Sequence, residues 1–214
     1  MKSRLVAVAL AAQLLGLGLA TGARAADAPL LGNAEAGAAK AAVCGACHGA
    51  TGNSPNPEWP SLAGQHHEYV IEQLALLKSG ARVAPTMNPM AAGLSPQDMA
   101  DLAAHFEKQT LVGLEADAKL WEAGQKLYRG GDAARGIPAC LVCHGPNGRG
   151  NGPARWPQVR AQQPAYVAAQ LKGYAARTRY GASAPAGAEM MSDVARRLSE
   201  DDIKALAAYL QGLR

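Results

Sequence analysis

Apolar residues recur at helical spacing in three pairs of segments along the chain. The last pair begins at Ser95 and Ser199, after which apolar residues follow at i, i+3, i+4 and i+7. Each serine precedes an acidic residue by three positions, a pattern typical of helix N-termini. Two further pairs of helices are predicted at roughly 34–45 and 116–130, and at roughly 66–78 and 164–178. We therefore predict an all-α protein whose two halves have the same order of helices.

Short motifs within and between the predicted helices also occur twice. Glu-Ala-Gly lies at 35–37 and 122–124, and Trp-Pro lies at 59–60 and 156–157. A glycine within a helix costs about 1 kcal/mol relative to alanine, so its recurrence predicts close helix packing at both positions. The second half has an additional Gly- and Pro-containing loop. The repeats predict two tandem domains at 26–110 and 116–214, joined by a linker at 111–115.

The first 25 residues have the pattern of a signal peptide. Lys2 and Arg4 precede an apolar run, and Ala23-Arg24-Ala25 fits the small-x-small cleavage rule. The apolar run contains Gln13 and two glycines, and it is short for a membrane span of about 20 residues. We therefore expect residues 1–25 to be cleaved and the mature chain to be in the periplasm.

All four cysteines occur in two Cys-x-x-Cys-His motifs, at 44–48 and 140–144. This spacing is the signature of covalent haem attachment, because thiols one helical turn apart can bond to one porphyrin while the next residue binds its iron. Alternative interpretations are redox disulfides and a four-thiolate zinc site, but neither chemistry requires the histidines. The motifs predict two c-type haems, attached through Cys44, Cys47, Cys140 and Cys143, with His48 and His144 as iron ligands.

Composition and charge change this interpretation little. Aromatic residues make up only 5% of the chain, so few large flat side chains are available to fill two cores unless each core contains a haem. Residues 26–113 contain 4 basic and 8 acidic residues (net −4), whereas residues 114–214 contain 14 and 9 (net +5). Such a bipolar chain is expected to orient in the field of charged partners. Because no basic run or aromatic stacking surface is present, we do not expect nucleic-acid binding.

The sixth iron ligand decides between an electron carrier and a catalyst, because an open position would admit a substrate or gas. When Leu94 is aligned with Leu198, 104 residues later, Met87 falls on Met191, and both are predicted to lie in loops. Methionine is usually a core residue, but the shared position favours these two as ligands. The other candidates are Met90, Met99, Met190, His66, His67 and His105. A ligating imidazole normally donates its second N–H to a fixed acceptor, and the carbonyls of Pro60 and Pro157 stand at matching positions for this role.

The chain resembles the class I c-type cytochromes and, over its mature length, the dihaem cytochrome c4 family. The resemblance rests on the stretches at 43–49, 53–55, 60–65 and 140–148, and on the closing segments at 198–199 and 207–212. It implies two class I domains related by a pseudo-twofold axis, with haem propionates facing across the interface. It also implies that the cysteines, histidines and methionines above bind haem and that the two prolines accept the proximal hydrogen bonds. The segment at 157–162 departs from the usual Pro-x-Leu-Ala-Gly-Gln pattern, and His105 replaces a usual tyrosine.

The family resemblance implies an electron carrier rather than an enzyme. Its expected partners are the quinol-oxidising complex of a respiratory chain as donor and a terminal oxidase as acceptor, docked transiently by charge, with at most weak membrane association. One alternative is the cytochrome subunit of a periplasmic dehydrogenase. Another is a dihaem peroxidase, which would need one vacant or displaceable iron position. Reduction potentials, their order and the oligomeric state do not follow from the sequence.

Overall fold

The structure, a computed structural model, describes residues 30–181 and 184–214. The predicted signal peptide therefore lies outside the described residues. Regular structure in the described ranges is α-helical, and the only β contacts there are isolated bridges. The helices are α1 (Ala34–His48), α2 (His67–Lys78), α3 (Met87–Ala92), α4 (Pro96–Lys108), α5 (Trp121–Gly130), α6 (Leu141–His144), α7 (Pro164–Ala175), α8 (Ala186–Ala195) and α9 (Glu200–Gly212).

The helices form two units of the same design, which we call the first unit (α1–α4) and the second unit (α5–α9). In the first unit α4 packs on α1 and α2, and in the second unit α9 packs on α5 and α7. The predicted helix starts at Ser95 and Ser199 are confirmed, since each serine forms a capping box with an aspartate three residues later. The all-α prediction is confirmed for the described residues.

The recurrent glycines mark the closest helix crossings. A Cβ atom on Gly37 would lie 2.0 Å from the carbonyl oxygen of Asp101 in α4, and one on Gly124 would lie 2.0 Å from that of Ala205 in α9. No side chain fits within such a distance of a backbone oxygen. The close packing predicted from the repeated Glu-Ala-Gly motif is therefore present in both units.

Two of the predicted helix ranges differ from the structure at one end: the helix predicted at 34–45 is longer, and the helix predicted at 116–130 begins only at Trp121. Helix α1 continues through the first motif to His48. In the second unit the corresponding α5 ends at Gly130, because Gly131 adopts a positive φ of 64° and begins a turn closed by a bridge between Asp132 and Ile137. The second motif then forms its own short helix, α6.

The prediction that Met87 and Met191 lie in loops was wrong. Met87 is the first residue of α3, and Met191 lies within α8. Both segments are rich in alanine and methionine, which favour helix formation. Pro89 is tolerated because it falls in the first turn of α3, where its missing N–H removes no helical hydrogen bond.

Each unit has a buried apolar cluster that includes a cysteine of its motif. Ala41, Leu102 and Phe106 form the first cluster, against which Cys44 packs. The second cluster is built around Leu127, Tyr128 and Leu206, and Cys140 packs against it. Within the described ranges, every helix is too short or too polar to cross a lipid bilayer.

The two units contact each other through paired backbone segments. Arg82 and Tyr180 form an antiparallel bridge, in which Val83 N donates to Arg179 O over 2.9 Å and Gly181 N donates to Ala81 O over 2.8 Å. Residues on both sides of this contact occupy equivalent positions of the repeat, since Arg179 lies 97 residues after Arg82. The interface thus brings together matching parts of the two units.

Candidate haem sites

The first Cys-x-x-Cys-His motif occupies the last turn of α1. A helical turn places Cys44 and Cys47 on one side of the helix, and His48 follows immediately as a buried residue. The Nδ1 atom of His48 lies 2.8 Å from the carbonyl oxygen of Pro60. A carbonyl oxygen only accepts, so Nδ1 carries the hydrogen and the lone pair of Nε2 is available to iron.

The second motif repeats this arrangement on α6. Nδ1 of His144 lies 3.0 Å from the carbonyl oxygen of Pro157, which stands 97 residues after Pro60. The hydrogen bond again holds the imidazole in the tautomer that leaves Nε2 free. The structure therefore brings each predicted histidine ligand together with its predicted proline.

Burial keeps both imidazoles in the neutral form that binds iron. It lowers the pKa of His48, an effect opposed by the hydrogen bond to Pro60 and reinforced by the positive charge of Arg82. Burial likewise lowers the pKa of His144, against the effect of its hydrogen bond to Pro157. At neutral pH the iron-binding lone pairs are therefore unprotonated.

Cys44 and Cys140 lack the environment of redox-active or zinc-binding thiols. All four are free, and burial raises the pKa of the Cys44 thiol and raises that of Cys140 to about 11. A reactive or metal-binding cysteine needs a stabilised thiolate and hence a lowered pKa. Protonated thiols beside an apolar cluster are instead suited to bonding an apolar group such as the porphyrin edge.

Of the candidate methionines, Met87 and Met191 are partly buried, Met90 and Met190 are exposed, and Met99 is buried within α4. Met90 and Met190 have 46% and 51% of their side-chain surface exposed. A thioether that closes the coordination of a buried iron must face the interior of its unit. The burial therefore favours Met87 and Met191, the pair that the repeat selects.

The three remaining histidines make contacts of other kinds. Nε2 of His66 lies 2.6 Å from the carbonyl oxygen of Arg149. His67 is exposed and pairs with Glu107 at 3.0 Å, and the His105 ring packs against Phe106. These contacts explain all three side chains without iron ligation.

Two arginines at the unit interface, Arg179 buried and Arg82 half-buried, form a cationic group that we did not predict. The guanidinium of Arg179 lies 5.0 and 5.3 Å from the ring centres of Tyr174 and Tyr180, and its Nε atom is buried without a hydrogen-bond partner among the described residues. Arg82 donates to Gln73 Oε1 over 2.9 Å and to the Tyr166 hydroxyl over 3.2 Å. Arg179 stays charged despite its burial, because a guanidinium group is not deprotonated in proteins.

The neighbours of this arginine pair are neutral phenols and an amide, with no carboxylate among those that the structure describes. Buried guanidinium groups with an unsatisfied N–H need an anionic partner. Haem carries two carboxylate groups, so the residues present fit this cofactor at its polar edge as well as at its iron. The repeat could have predicted this arginine pair, because Arg179 follows Arg82 by the same 97 residues that separate Tyr166 from Tyr69.

A comparison with known proteins gives the same assignment. The cytochrome c family model matches residues 34–109 and 121–214. The chain is 46% identical to a cytochrome c4 of Azotobacter vinelandii, over 96% of this chain and 98% of that protein. It is 37% identical to a thiosulfate dehydrogenase electron acceptor of Thiomonas intermedia, over 80% of this chain and 78% of that protein. The crystal structure of reduced recombinant cytochrome c4 from Pseudomonas stutzeri superposes with a TM-score of 0.81 at 43% identity, and the match covers 86% of this chain and all of that one.

Proposed function

Because this chain belongs to the cytochrome c4 family of dihaem electron-transfer proteins, we propose that it carries electrons in the periplasm from the quinol-oxidising complex of a respiratory chain to a terminal oxidase. The family assignment itself establishes the cofactors and the class of function. The chain is an electron carrier with two c-type haems in two class I cytochrome c domains, and it is not an enzyme. The location and the two partners are the part that we propose.

Within each domain we propose one complete set of haem-binding residues. The first set comprises Cys44 and Cys47 as thioether attachments, His48 and Met87 as iron ligands, and Pro60 as acceptor of the proximal hydrogen bond. The second set comprises Cys140, Cys143, His144, Met191 and Pro157 in the same roles. We place the domains at 26–110 and 116–214, with the linker at 111–115 and the cleaved leader at 1–25. The paired Nδ1-to-carbonyl distances of 2.8 and 3.0 Å are the observation that carries this assignment.

Closed coordination fits a carrier better than a catalyst. Each haem supplies a reversible one-electron change at its iron. His48 and His144 would each supply a neutral imidazole to iron, and Met87 and Met191 would each supply a thioether, so that no coordination position would remain for a substrate. The dihaem peroxidase alternative is not favoured, because the matched relatives are electron-transfer proteins.

Exposed apolar residues beside the attachment cysteines provide a contact surface in each domain. Val43 precedes Cys44 and has 59% of its surface exposed, and Val142 precedes Cys143 and has 72% exposed. An apolar contact centre with charged surroundings suits transient docking, in which charge determines the approach of the partner. The net charges of −4 and +5 in the two halves favour docking of each domain on a different partner.

Rapid kinetics with membrane partners test the proposed place in the respiratory chain. The purified dihaem protein is mixed with membranes containing a quinol-oxidising complex and quinol, or, after reduction, with membranes containing a terminal oxidase. We expect fast reduction and fast oxidation, and opposite charges at the two docking domains predict that both rates fall with ionic strength. Slow exchange with both membranes, or rates that do not depend on salt, would contradict the proposal.

A second candidate function is the electron-transfer subunit or acceptor of a periplasmic dehydrogenase. It is favoured by the 37% identity to a thiosulfate dehydrogenase electron acceptor. Co-purification from native cells distinguishes the two. A stable complex with a larger catalytic subunit would favour the dehydrogenase role, whereas isolation as a free dihaem protein that oxidase membranes oxidise would favour the respiratory role.

A further inference from the structure

A single peptide group connects His48 to the opposite unit. The carbonyl oxygen of Pro60 accepts the hydrogen bond from His48 Nδ1, and the N–H of the same peptide belongs to Ser61. That N–H donates to the side-chain oxygen Oε1 of Gln162 over 2.8 Å. Gln162 lies between α6 and α7, in the second unit. The proximal histidine of the first unit is thus two hydrogen bonds away from a glutamine of the second.

The same connection exists in the opposite direction. The carbonyl of Pro157 accepts from His144, and the N–H of that peptide, which belongs to Gln158, donates to Oε1 of Gln65 over 2.9 Å. Gln65 lies in the first unit and precedes Gln162 by 97 residues, so the two glutamines are equivalent in the repeat. Each unit therefore contacts the proximal peptide of the other.

The orientation of both glutamine amides is fixed by their remaining hydrogen bonds. Nε2 of Gln162 donates to Ser61 O over 3.0 Å, and Nε2 of Gln65 donates to Gln158 O over 2.9 Å. Each Oε1 also accepts the backbone N–H of the next residue, at 2.9 Å in the second unit and 3.2 Å in the first. Both side chains are buried. Reversing either amide would place its NH2 group against two backbone N–H groups, and donors cannot bond to donors. The amide oxygen must therefore face the proximal peptide.

The backbone before each glutamine adopts a left-handed conformation that directs the side chain across the interface. Gly64 has a φ of 68°, which glycine adopts without strain, but its counterpart Ala161 has a φ of 48°. A non-glycine residue in this region is strained and persists only where the surrounding structure requires it. The second unit keeps the conformation that aims Gln162 although it lacks the glycine.

We propose that Gln65 and Gln162 are positioning residues, each of which tunes the reduction potential of the haem in the opposite domain. An acceptor on the peptide N–H polarises the peptide, which makes its carbonyl a stronger acceptor for the imidazole N–H. A stronger hydrogen bond at Nδ1 makes the ligating imidazole more basic and stabilises ferric iron. Each glutamine therefore lowers the potential of the haem across the interface. This inference rests on the proposed ligation of iron by His48 and His144.

Substitutions of the two equivalent glutamines test the proposal. In Gln162→Leu the reduction potential of the haem bound at Cys44 rises and the other potential is unchanged, whereas Gln65→Leu raises the potential of the haem bound at Cys140. Potentials are read haem by haem from the nuclear magnetic resonance signals of the two haems during a redox titration. The exchangeable Nδ1 proton of the corresponding histidine exchanges faster in each variant, because its hydrogen bond is weaker.

Gln163→Leu is the matched control. Gln163 is equally buried and its Nε2 donates across the interface to Ser54 O, but among the described residues its side chain forms no hydrogen bond with the proximal peptide. This variant loses one interdomain hydrogen bond and leaves both potentials unchanged. If Gln163→Leu raises the potential of the haem bound at Cys44 as much as Gln162→Leu does, the glutamines act only on the interface and the proposal is wrong. The same conclusion follows if Gln65→Leu and Gln162→Leu each shift the potentials of both haems equally.

If a leucine variant does not accumulate with two haems, the Gln→Met variant, which keeps the side-chain length, is measured in the same way. The wild-type spectrum reports histidine ligation beforehand, so failure of the ligand assignment is distinguishable from failure of this inference.

Discussion

At the scale of single residues, charge at the domain interface acts on His48, the proposed iron ligand of the first domain. The positive charge of Arg82 contributes to the lowered pKa of His48. A fixed positive charge near iron favours the ferrous state, which carries one positive charge fewer than the ferric state. Arg82→Gln is therefore expected to lower the potential of the first haem, as measured in a redox titration. The control Lys108→Gln removes an exposed charge on α4 and should change neither potential; an equal effect of both variants would contradict a local role for Arg82.

Backbone conformation at two equivalent residues gives a second prediction at this scale. A left-handed conformation costs a non-glycine residue about 1–2 kcal/mol, which Ala161 incurs and Gly64 does not. Ala161→Gly should raise the free energy of unfolding by about 1 kcal/mol, and Gly64→Ala should lower it by at least as much. Denaturant titration measures both. Changes of the same sign in the two variants would show that side-chain contacts, not backbone strain, dominate there.

At the scale of helices, each domain depends on one close crossing. Alanine at position 37 would place its Cβ 2.0 Å from a carbonyl oxygen of α4, so helices α1 and α4 must separate. Overpacking of this kind typically costs about 1–3 kcal/mol, which exceeds the gain of about 1 kcal/mol in helix propensity. Gly37→Ala should therefore destabilise the first domain in thermal unfolding. Gly130→Ala, at the end of α5 where nothing lies within 4 Å of the added Cβ, should be neutral or slightly stabilising.

The same crossing contains a carboxylate that makes stability depend on pH. Asp101 in α4 accepts hydrogen bonds from the backbone N–H of Asn33, from Lys40 and from Gln97, which lower its pKa from 3.8 to about 2. Because the pKa of Asp101 is lower in the folded state than in the unfolded state, its ionised form stabilises the fold. This stabilisation is complete above pH 4 and is lost as the pH falls from about 4 to about 2. The melting temperature of Asp101→Asn should fall less steeply than that of wild type in this range.

Glu58→Gln removes an exposed loop carboxylate and is the control for the acid measurement. It should follow the wild-type curve. An Asp101→Asn curve parallel to wild type between pH 4 and pH 2 would show that other groups govern acid unfolding, because the contribution of Asp101 would then be absent.

The helices were more predictable than the cross-domain contacts. Capping serines, recurrent glycines and apolar spacing are local signals, and they predicted α4, α9 and the two close crossings. The positions of Met87 and Met191 in helices were missed because a short Ala- and Met-rich segment between loops carries no periodic signal. The bonds from Gln65 and Gln162 span about a hundred residues of sequence, and only the repeat could have indicated them.

At the scale of the molecule, duplication accounts for both the proposed ligand sets and the proposed coupling between domains. Every proposed haem-binding residue has a counterpart in the other half, and the two halves exchange equivalent hydrogen bonds at their interface. The charges are the main difference, with net −4 in the first half and +5 in the second. Two similar redox centres in differently charged domains suit a carrier that accepts electrons at one end and donates them at the other.

The ligands Met87 and Met191 are the central claim of this account. Oxidised His/Met haems show a weak near-infrared sulfur-to-iron band, and a thioether raises the reduction potential. Near-infrared absorption of the oxidised protein, recorded for wild type, Met87→Leu, Met191→Leu and the controls Met90→Leu and Met190→Leu, tests the assignment most directly. We predict that each of the first two variants loses about half of the band and has one lowered potential, because each methionine serves one of two irons. The controls should match wild type, whereas an unchanged band in Met87→Leu and Met191→Leu would contradict the closed coordination proposed for this chain.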